Sequence, residues 1–387
     1  MIAHLSNIIG HPAARATGMV FTSSGLILGT WSALIPYIKE KFGLDEAELG
    51  LLLLTLPAGV TLMNPFTVPI IHRLGAVRAT LVSLGLTGLL FILPIASPFI
   101  WLLVPSLFLA GGGFSTLNVA MNTCASLLEQ HTGLRIFSTC HGLWSVGAMV
   151  GSAMAGMATG WGMSPILFLS LLAVLALLTV FALRPALASV PDDYQPSTVP
   201  VKKSTGFIKP NKALWVLILI SLCTNLAEGS MTDWSAVYMR DVAGAPEAWV
   251  GWGFAAYAFF MAGGRLLGDA LLYRFSSKKV LRIGGVVAAS GFLVSIFWTG
   301  MAGALLGFSL VGAGVSLGSP ILYAAATKVP GLPKGAGLAT MNTFAMVGFL
   351  GGPAFIGLLA KMFSLPTAFG VVACFALFWA AWSGRMR

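Results

Sequence analysis

Residues 31–50 read WSALIPYIKEKFGLDEAELG, and residues 234–251 read WSAVYMRDVAGAPEAWVG. Both open on Trp-Ser-Ala at the end of a long apolar run, cross a short charged stretch to a glycine, and resume with Glu-Ala and a further glycine. Gly43, Glu46, Ala47 and Gly50 thus match Gly244, Glu247, Ala248 and Gly251. The same register carries outward. Arg73 falls on Arg274, Gly111 and Gly113 on Gly312 and Gly314, and Val146, Gly147, Gly151, Ala153 and Gly156 on Val347, Gly348, Gly352, Ala354 and Gly357. From Gly43 onward it holds without a gap over more than a hundred residues. Chance likeness between apolar runs does not preserve glycines and charges together, so the chain reads as an internal duplication with a period near 200 residues.

Of the 387 residues, 57% are hydrophobic and only 9% charged, against about 25% charged in a soluble domain. So few charges cannot cover a soluble surface of this size, and disorder requires the opposite balance. Cys124, Cys140, Cys223 and Cys374 each lie inside an apolar run, which reads as free buried thiols rather than a disulfide framework. The apolar runs are continuous instead of alternating, which excludes a β-barrel. A spanning helix takes about 20 apolar residues. The sequence accommodates twelve, near 17–38, 49–71, 79–97, 100–128, 136–160, 164–184, 213–239, 248–272, 280–299, 302–327, 335–361 and 365–384. The expected fold is an all-α polytopic membrane protein of two parallel six-helix repeats, related by an axis along the membrane normal. Residues 1–184 form the first bundle, 185–212 a proline- and lysine-rich linker, and 213–387 the second bundle. The first span is too long, and residues 1–16 too weakly basic, for a cleaved signal peptide.

The net charge is +10, which on a soluble protein would suggest a nucleic-acid partner. Its placement points elsewhere. Arg73, Arg78, Lys202, Lys203, Lys209, Lys212, Lys278, Lys279, Arg282, Lys328, Lys334, Arg385 and Arg387 all fall in alternate loops on one side. The opposite loops hold Lys39, Glu40, Lys41, Asp45, Glu46, Glu48, Arg240, Asp241 and Glu247, a balanced or slightly acidic set. The positive-inside rule then puts both termini in the cytoplasm, with the bilayer and a small solute as partners and no nucleic acid.

Gly264-Arg265-Leu266-Leu267-Gly268-Asp269, followed by Arg274, resembles the cytoplasmic signature of the major facilitator superfamily between its helices 8 and 9. Between helices 2 and 3 the equivalent signature keeps Arg73, Gly75 and Arg78, but Val68 stands where the repeat places Asp269. Residues 29–36, 118–122 and 228–238 are similar to the fucose-permease-like bacterial group of that superfamily. The resemblance covers the whole chain. It implies the major facilitator fold, a monomer in the bacterial inner membrane, and secondary transport by alternating access, driven by a proton gradient without any cofactor.

Candidate functional residues are the polar ones inside spans. Glu228 and Asp233 lie within the seventh span, where an ionisable group costs at least about 2.5–3.5 kcal/mol and so usually faces a cavity. Five residues turn about 140° around a helix, so the two acids do not share a face, and either one is a candidate proton carrier or a structural carboxylate. Arg265 and Asp269 are one turn apart and, with Arg274, Arg73 and Arg78, form a candidate cytoplasmic gate. Asn118 and Asn122 share a face of the fourth span, and Asn225 shares one with Glu228. His141 has Asn342 as its repeat partner, while Asn64 is the counterpart of Arg265. Trp31, Trp144 and Trp234 are candidates for stacking on a sugar ring, set against packing and interfacial roles. No nucleotide loop, hydrolase elbow or zinc cluster occurs, so neither an enzyme nor a metal site is expected. Two functions remain open. One is proton-coupled import of a small polar solute such as a sugar. The other is proton-coupled export of amphipathic compounds or drugs, favoured by the 16 methionines.

Overall fold

The computed structural model describes residues 8–190, 210–330, 332 and 336–386; the side chains of Asp269, Ala339, Met346 and Val347 lie outside the described part. Among the described residues the chain is helical and has no strand. In hydrocarbon a backbone polar group has no water to bond, so each apolar run must satisfy itself as a helix. The first half is built of α1 (Pro12–Phe42), α2 (Glu46–Leu53), α3 (Thr55–Leu74), α4 (Ala76–Leu90), α5 (Ile92–Ala96), α6 (Ile100–Thr132), α7 (Phe137–Gly160) and α8 (Pro165–Leu187). The second is built of α9 (Lys212–Asp241), α10 (Glu247–Val250), α11 (Trp252–Leu266), α12 (Gly268–Arg274), α13 (Ser277–Phe297), α14 (Met301–Val315), α15 (Gly318–Ala326), α16 (Ala336–Met362) and α17 (Leu365–Trp382).

These segments follow the twelve expected runs, but four runs are interrupted, at five places. Three of the interruptions have a common cause. The breaks at Leu54, Phe91 and Ser316-Leu317 lie three or four residues before Pro57, Pro94 and Pro320. A proline removes the hydrogen bond to the residue four back and crowds its carbonyl. The expected eighth span, 248–272, is split twice, at Gly251 and Leu267, into α10, α11 and α12. Among the described residues, ten segments are long and apolar enough to cross a membrane by length and composition. The remaining two are α7, diluted by glycine, serine and His141, and the broken α10–α12 run. The repeat is visible in local geometry as well. Gly43 and Gly244, matched in sequence, end α1 and follow α9 with φ of 62° and 63°, the left-handed backbone that glycine alone adopts without cost.

Among the described residues the chain divides into two compact units. One comprises Met1–Gly43, Leu52–Pro200 and Pro246–Ala255; the other comprises Leu44–Leu51, Val201–Ala245 and Ala256–Arg387. The boundaries expected at 184 and 213 are therefore not the whole division. A short segment around α2 packs in the second unit, and a short segment around α10 packs in the first.

The first unit is held by glycine seams. A Cβ built on Gly25, Gly29, Gly147 or Gly151 would lie 2.0–2.2 Å from a carbonyl oxygen of the facing helix in the α1–α7 pair. The α3–α6 pair repeats the device, with Gly59 against the Phe108 carbonyl and Gly111 against the Leu56 carbonyl, each at 2.1 Å. The second unit adds an aromatic core. Tyr238 stacks on Phe369 at 5.0 Å, with Phe292 and Phe308 edge-on to Phe369, and its hydroxyl donates to the Ser295 carbonyl at 2.7 Å. None of the four cysteines forms a disulfide; three are buried as expected, but Cys374 is exposed.

The seam makes a prediction. In Gly29→Ala the added methyl meets a carbonyl that cannot move without parting two helices, an overpacking that costs about 1–3 kcal/mol. The melting temperature in detergent should fall by several degrees. Gly263→Ala, whose Cβ meets nothing within 4 Å, should leave it unchanged.

Candidate transport site

In the first unit the structure joins three of the expected residues into one chain. Asn118 and Asn122, one turn apart on α6, share a face because of that spacing. The Asn122 amide donates to the Asn118 carbonyl at 2.7 Å, and its Oδ1 lies 3.1 Å from His141 Nε2 on α7. His141 is framed by aromatic rings, edge-on to Phe21 at 5.3 Å and tilted against Phe137 at 4.9 Å. All three polar side chains are only half-buried, so the chain retains capacity to bond a solute. Trp144, also on α7, buries its indole Nε1 with no hydrogen-bond partner among the described residues.

In the second unit Glu228, on α9, faces Arg265 on α11. Nη2 of Arg265 and Oε1 of Glu228 are 3.7 Å apart, and the side chains are 17% and 28% exposed. The arginine expected to pair one turn along its own helix thus meets an acid on another helix; the Asp269 side chain lies outside the described residues. At 3.7 Å the pair is held by charge and not by a shared hydrogen, since charge-assisted hydrogen bonds close to about 2.7–2.9 Å. Tyr257, fully buried on α11, is within electrostatic reach of both partners, and Tyr323 on α15 is within reach of Glu228. Neither tyrosine stood out in the sequence, because each is one aromatic residue among many in an apolar run.

The Trp31 and Trp234 registers line Gly25 up with Glu228. In the first half this position is a backbone contact, the Gly25 Cβ site lying 2.0 Å from the Trp144 carbonyl. In the second half the same position holds a carboxylate. The facing glycines have correspondingly more room there. The Cβ sites of Gly348 and Gly352 meet side-chain atoms of Leu222 and Leu226 first, at 2.7 and 3.5 Å.

Other expected residues are placed differently. Asp233 is half-buried on α9 without an ion pair among the described residues. Asn225 bonds only weakly within α9, its amide 3.4 Å from Ser221 Oγ, and Asn342 is half-buried on α16. Trp31 is 2% exposed and edge-on to Phe91 at 6.2 Å, and Trp234 is 0% exposed. Protein covers the faces of both rings, so they pack rather than present a stacking platform. Arg73, Arg78 and Arg274 are exposed and make no ion pair among the described residues; Asp269, the acid of the expected gate, has its side chain outside them.

The segment around α2 carries a pair of which the sequence reading had only one member, Asp45, as a loop charge. Asp45 and Glu48 cap α2 reciprocally: the Glu48 N–H donates to Asp45 at 2.9 Å and the Asp45 N–H to Glu48 at 3.0 Å. The second Asp45 oxygen accepts from Lys361 Nζ on α16 at 2.7 Å. Beneath this clasp, the Gly50 and Gly357 Cβ sites lie 2.6 Å from the Pro353 carbonyl and 2.4 Å from the Glu46 carbonyl. The counterpart crossing, in the first unit, has no such clasp. There Ser152 Oγ donates to the Gly251 carbonyl at 2.7 Å, and Gly160, the repeat partner of Lys361, closes onto Ala248.

These features define a class, a helical membrane protein of duplicated bundles with polar groups buried inside each. A family model for the Major Facilitator Superfamily matches residues 16–334. The uncharacterized transporter y4wD of Sinorhizobium fredii is 33% identical over 374 residues, 94% of this chain and 95% of its own length. The E. coli fucose:proton symporter FucP superposes with a TM-score of 0.64 at 17% identity, covering 99% of both chains. A D-xylose-proton symporter gives 0.73 at 14% identity over 96% of this chain and 97% of its own. The chain belongs to the Major Facilitator Superfamily. It is a multi-pass membrane transporter and not an enzyme.

Two measurements probe the ion pairs. Removing one member of a buried pair leaves a charge uncompensated, so Glu228→Gln and Arg265→Gln should each lower the melting temperature by more than the double variant does. Additive losses would mean the groups do not interact. For the Asp45–Lys361 clasp, the Lys361 ammonium first, and then the Glu48 N–H, holds the Asp45 carboxyl below the usual carboxylate range. A depressed pKa gives stability that is full above the ordinary value of about 3.9 and fades as pH falls through the lowered one. Asp45→Asn keeps the cap and loses the charge. It should melt below wild type at pH 7, and the difference should close on acidification below pH ~3.9.

Proposed function

We propose that the protein imports a small polar solute, such as a sugar or related metabolite, with protons by alternating access, acting as a monomer in the bacterial inner membrane with both termini cytoplasmic. The observation that carries this reading is the Glu228–Arg265 pair, a carboxylate inside a membrane helix held at 3.7 Å by charge alone. Such a pair can be opened by one proton. Protonated Glu228 releases Arg265, which lies at the end of α11 beside the break at Leu267. The charge state of one side chain is thereby tied to a joint in a helix. Asp233, half-buried and without an ion pair among the described residues, is the second candidate for the proton.

Asn118, Asn122 and His141 supply hydrogen-bond donors and acceptors with no fixed charge, which suits a neutral hydroxylated solute. The names of two structural neighbours, a fucose:proton symporter and a D-xylose-proton symporter, support the same reading. In the alternating-access scheme, deprotonation at the higher internal pH restores the pair and expels the solute.

Uptake of radiolabelled neutral sugars into proteoliposomes tests it. An inward proton gradient should drive accumulation of at least one of them. Glu228→Gln should abolish accumulation while solute exchange persists. Transport that ignores the gradient and survives neutralisation of both Glu228 and Asp233 would refute proton coupling. Gradient-driven extrusion of amphipathic dyes would establish export instead.

A further inference from the structure

A groove of about 450 Å³ opens on the outside of the first unit, where α3 and α4 diverge over α6. Its walls are apolar: Leu62, Phe66 and Leu74 from α3, Leu86 and Ala79 from α4, and Phe108 from α6. Leu62 and Phe66 are 60% and 61% exposed, as befits side chains that meet lipid. Along α3 the groove runs from Leu62 to Leu74, a rise of roughly 18 Å. That approximates the depth of one leaflet, half of a hydrocarbon core about 30 Å thick.

The groove ends among cations. Leu74 and Ala79, its last lining residues, are each next in sequence to an arginine, Arg73 and Arg78. Both arginines are exposed and neither has an ion-pair partner among the described residues. The repeat shows what is missing. The corresponding segment of the second half carries Arg274 and Lys279 together with Asp269, whereas the first half has Val68 at the acid's position. Lys279 additionally caps the ring of Phe275 at 4.8 Å. The first half has kept its cations and lost its anion.

We infer that this groove binds an anionic phospholipid, with an acyl chain lying between α3 and α4 and the phosphate held by Arg73 and Arg78. The chain supplies the apolar surface that the diverging helices leave uncovered, and the headgroup supplies the charge that Val68 does not. Basic clusters at the membrane face of transmembrane helices attract anionic headgroups in this way, and the arginine fork is suited to phosphate oxygens.

Native mass spectrometry of the full chain in detergent tests the inference. Dioleoyl phosphatidylglycerol, dioleoyl phosphatidylcholine and free glycerol phosphate are the probes. Wild-type protein should retain phosphatidylglycerol with a preference of about tenfold over phosphatidylcholine, given two arginines at the headgroup. Arg73→Gln/Arg78→Gln should erase the preference while leaving weak retention of both lipids. Gly112→Leu, which fills the groove where a Cβ makes only ordinary contacts, with Met63 at 3.7 Å and the Gly59 carbonyl at 4.0 Å, should reduce retention of both. Melting temperatures without added lipid identify any variant that has lost its fold, and Arg73→Lys/Arg78→Lys then replaces it, with the preference retained. Equal retention of the two lipids by wild type, or an unchanged preference in the glutamine variant, overturns the proposal. Binding of glycerol phosphate as strong as that of phosphatidylglycerol also overturns it, since the arginines would then hold a free anion.

Discussion

Inside a bilayer there is no water for two helices to expel from between them, so apolar side chains alone give little reason to associate. Cohesion comes from close approach of backbones, where dispersion is greatest, and from the few hydrogen bonds that helices can share. The first unit is organised around that constraint. Gly25, Gly29, Gly147 and Gly151 bring α1 and α7 so near that any Cβ would meet a carbonyl, and the hydroxyl of Thr30 donates across the same seam to the Gly151 carbonyl at 3.3 Å. The positions of Asn122 and His141 follow from it, because they sit on helices whose spacing the glycines set. A polar chain spanning two helices requires that neither drift.

Charge obeys the same economy. Of a small complement of ionisable groups, the sequence commits most to loops and helix ends. Among the described residues the Glu228–Arg265 pair lies within a unit and not in a loop, and its incomplete closure matters more than its existence. A bidentate, hydrogen-bonded pair would be a structural rivet. A pair at 3.7 Å lacks that hydrogen-bonded closure, and the proposed coupling relies on this. Tyr257 and Tyr323 nearby add phenolic groups that can bond either state.

The fold was largely legible in the sequence, because bilayer thickness fixes span length and because the duplicated glycines and charges survive in register. What could not be read was anything decided by partners distant in the chain. The helix breaks at Leu54 and Phe91 had a local signal in Pro57 and Pro94, whereas Pro36 and Pro353 sit in helices that run on unbroken, so proline alone does not announce a break. The Asn118, Asn122 and His141 grouping was half legible: helical spacing put the asparagines on one face, but only the α6–α7 packing brings His141 to them. Arg265 illustrates the limit. Its nearest acid in sequence, Asp269, has its side chain outside the described residues, while Glu228, 3.7 Å from it, is on another helix. Asp45 and Lys361 are 316 positions apart, beyond the reach of any local pattern. For Trp31 and Trp234, which repeat, both copies are buried in packing.

The correspondence of Gly25 with Glu228 carries a broader consequence. After a duplication, each copy inherits the same seam, but only one copy must keep it intact for the molecule to stand. The half with glycine retained the seam as scaffolding. The half with glutamate gave up tight contact and obtained an ionisable group at the place where a helix pair had been most firmly joined. Under the proposed coupling, the chemistry sits at the position that the other half uses as a mechanical junction. The two halves, alike in register, use one position in two ways: as a backbone contact at Gly25 and as a charge facing Arg265 at Glu228.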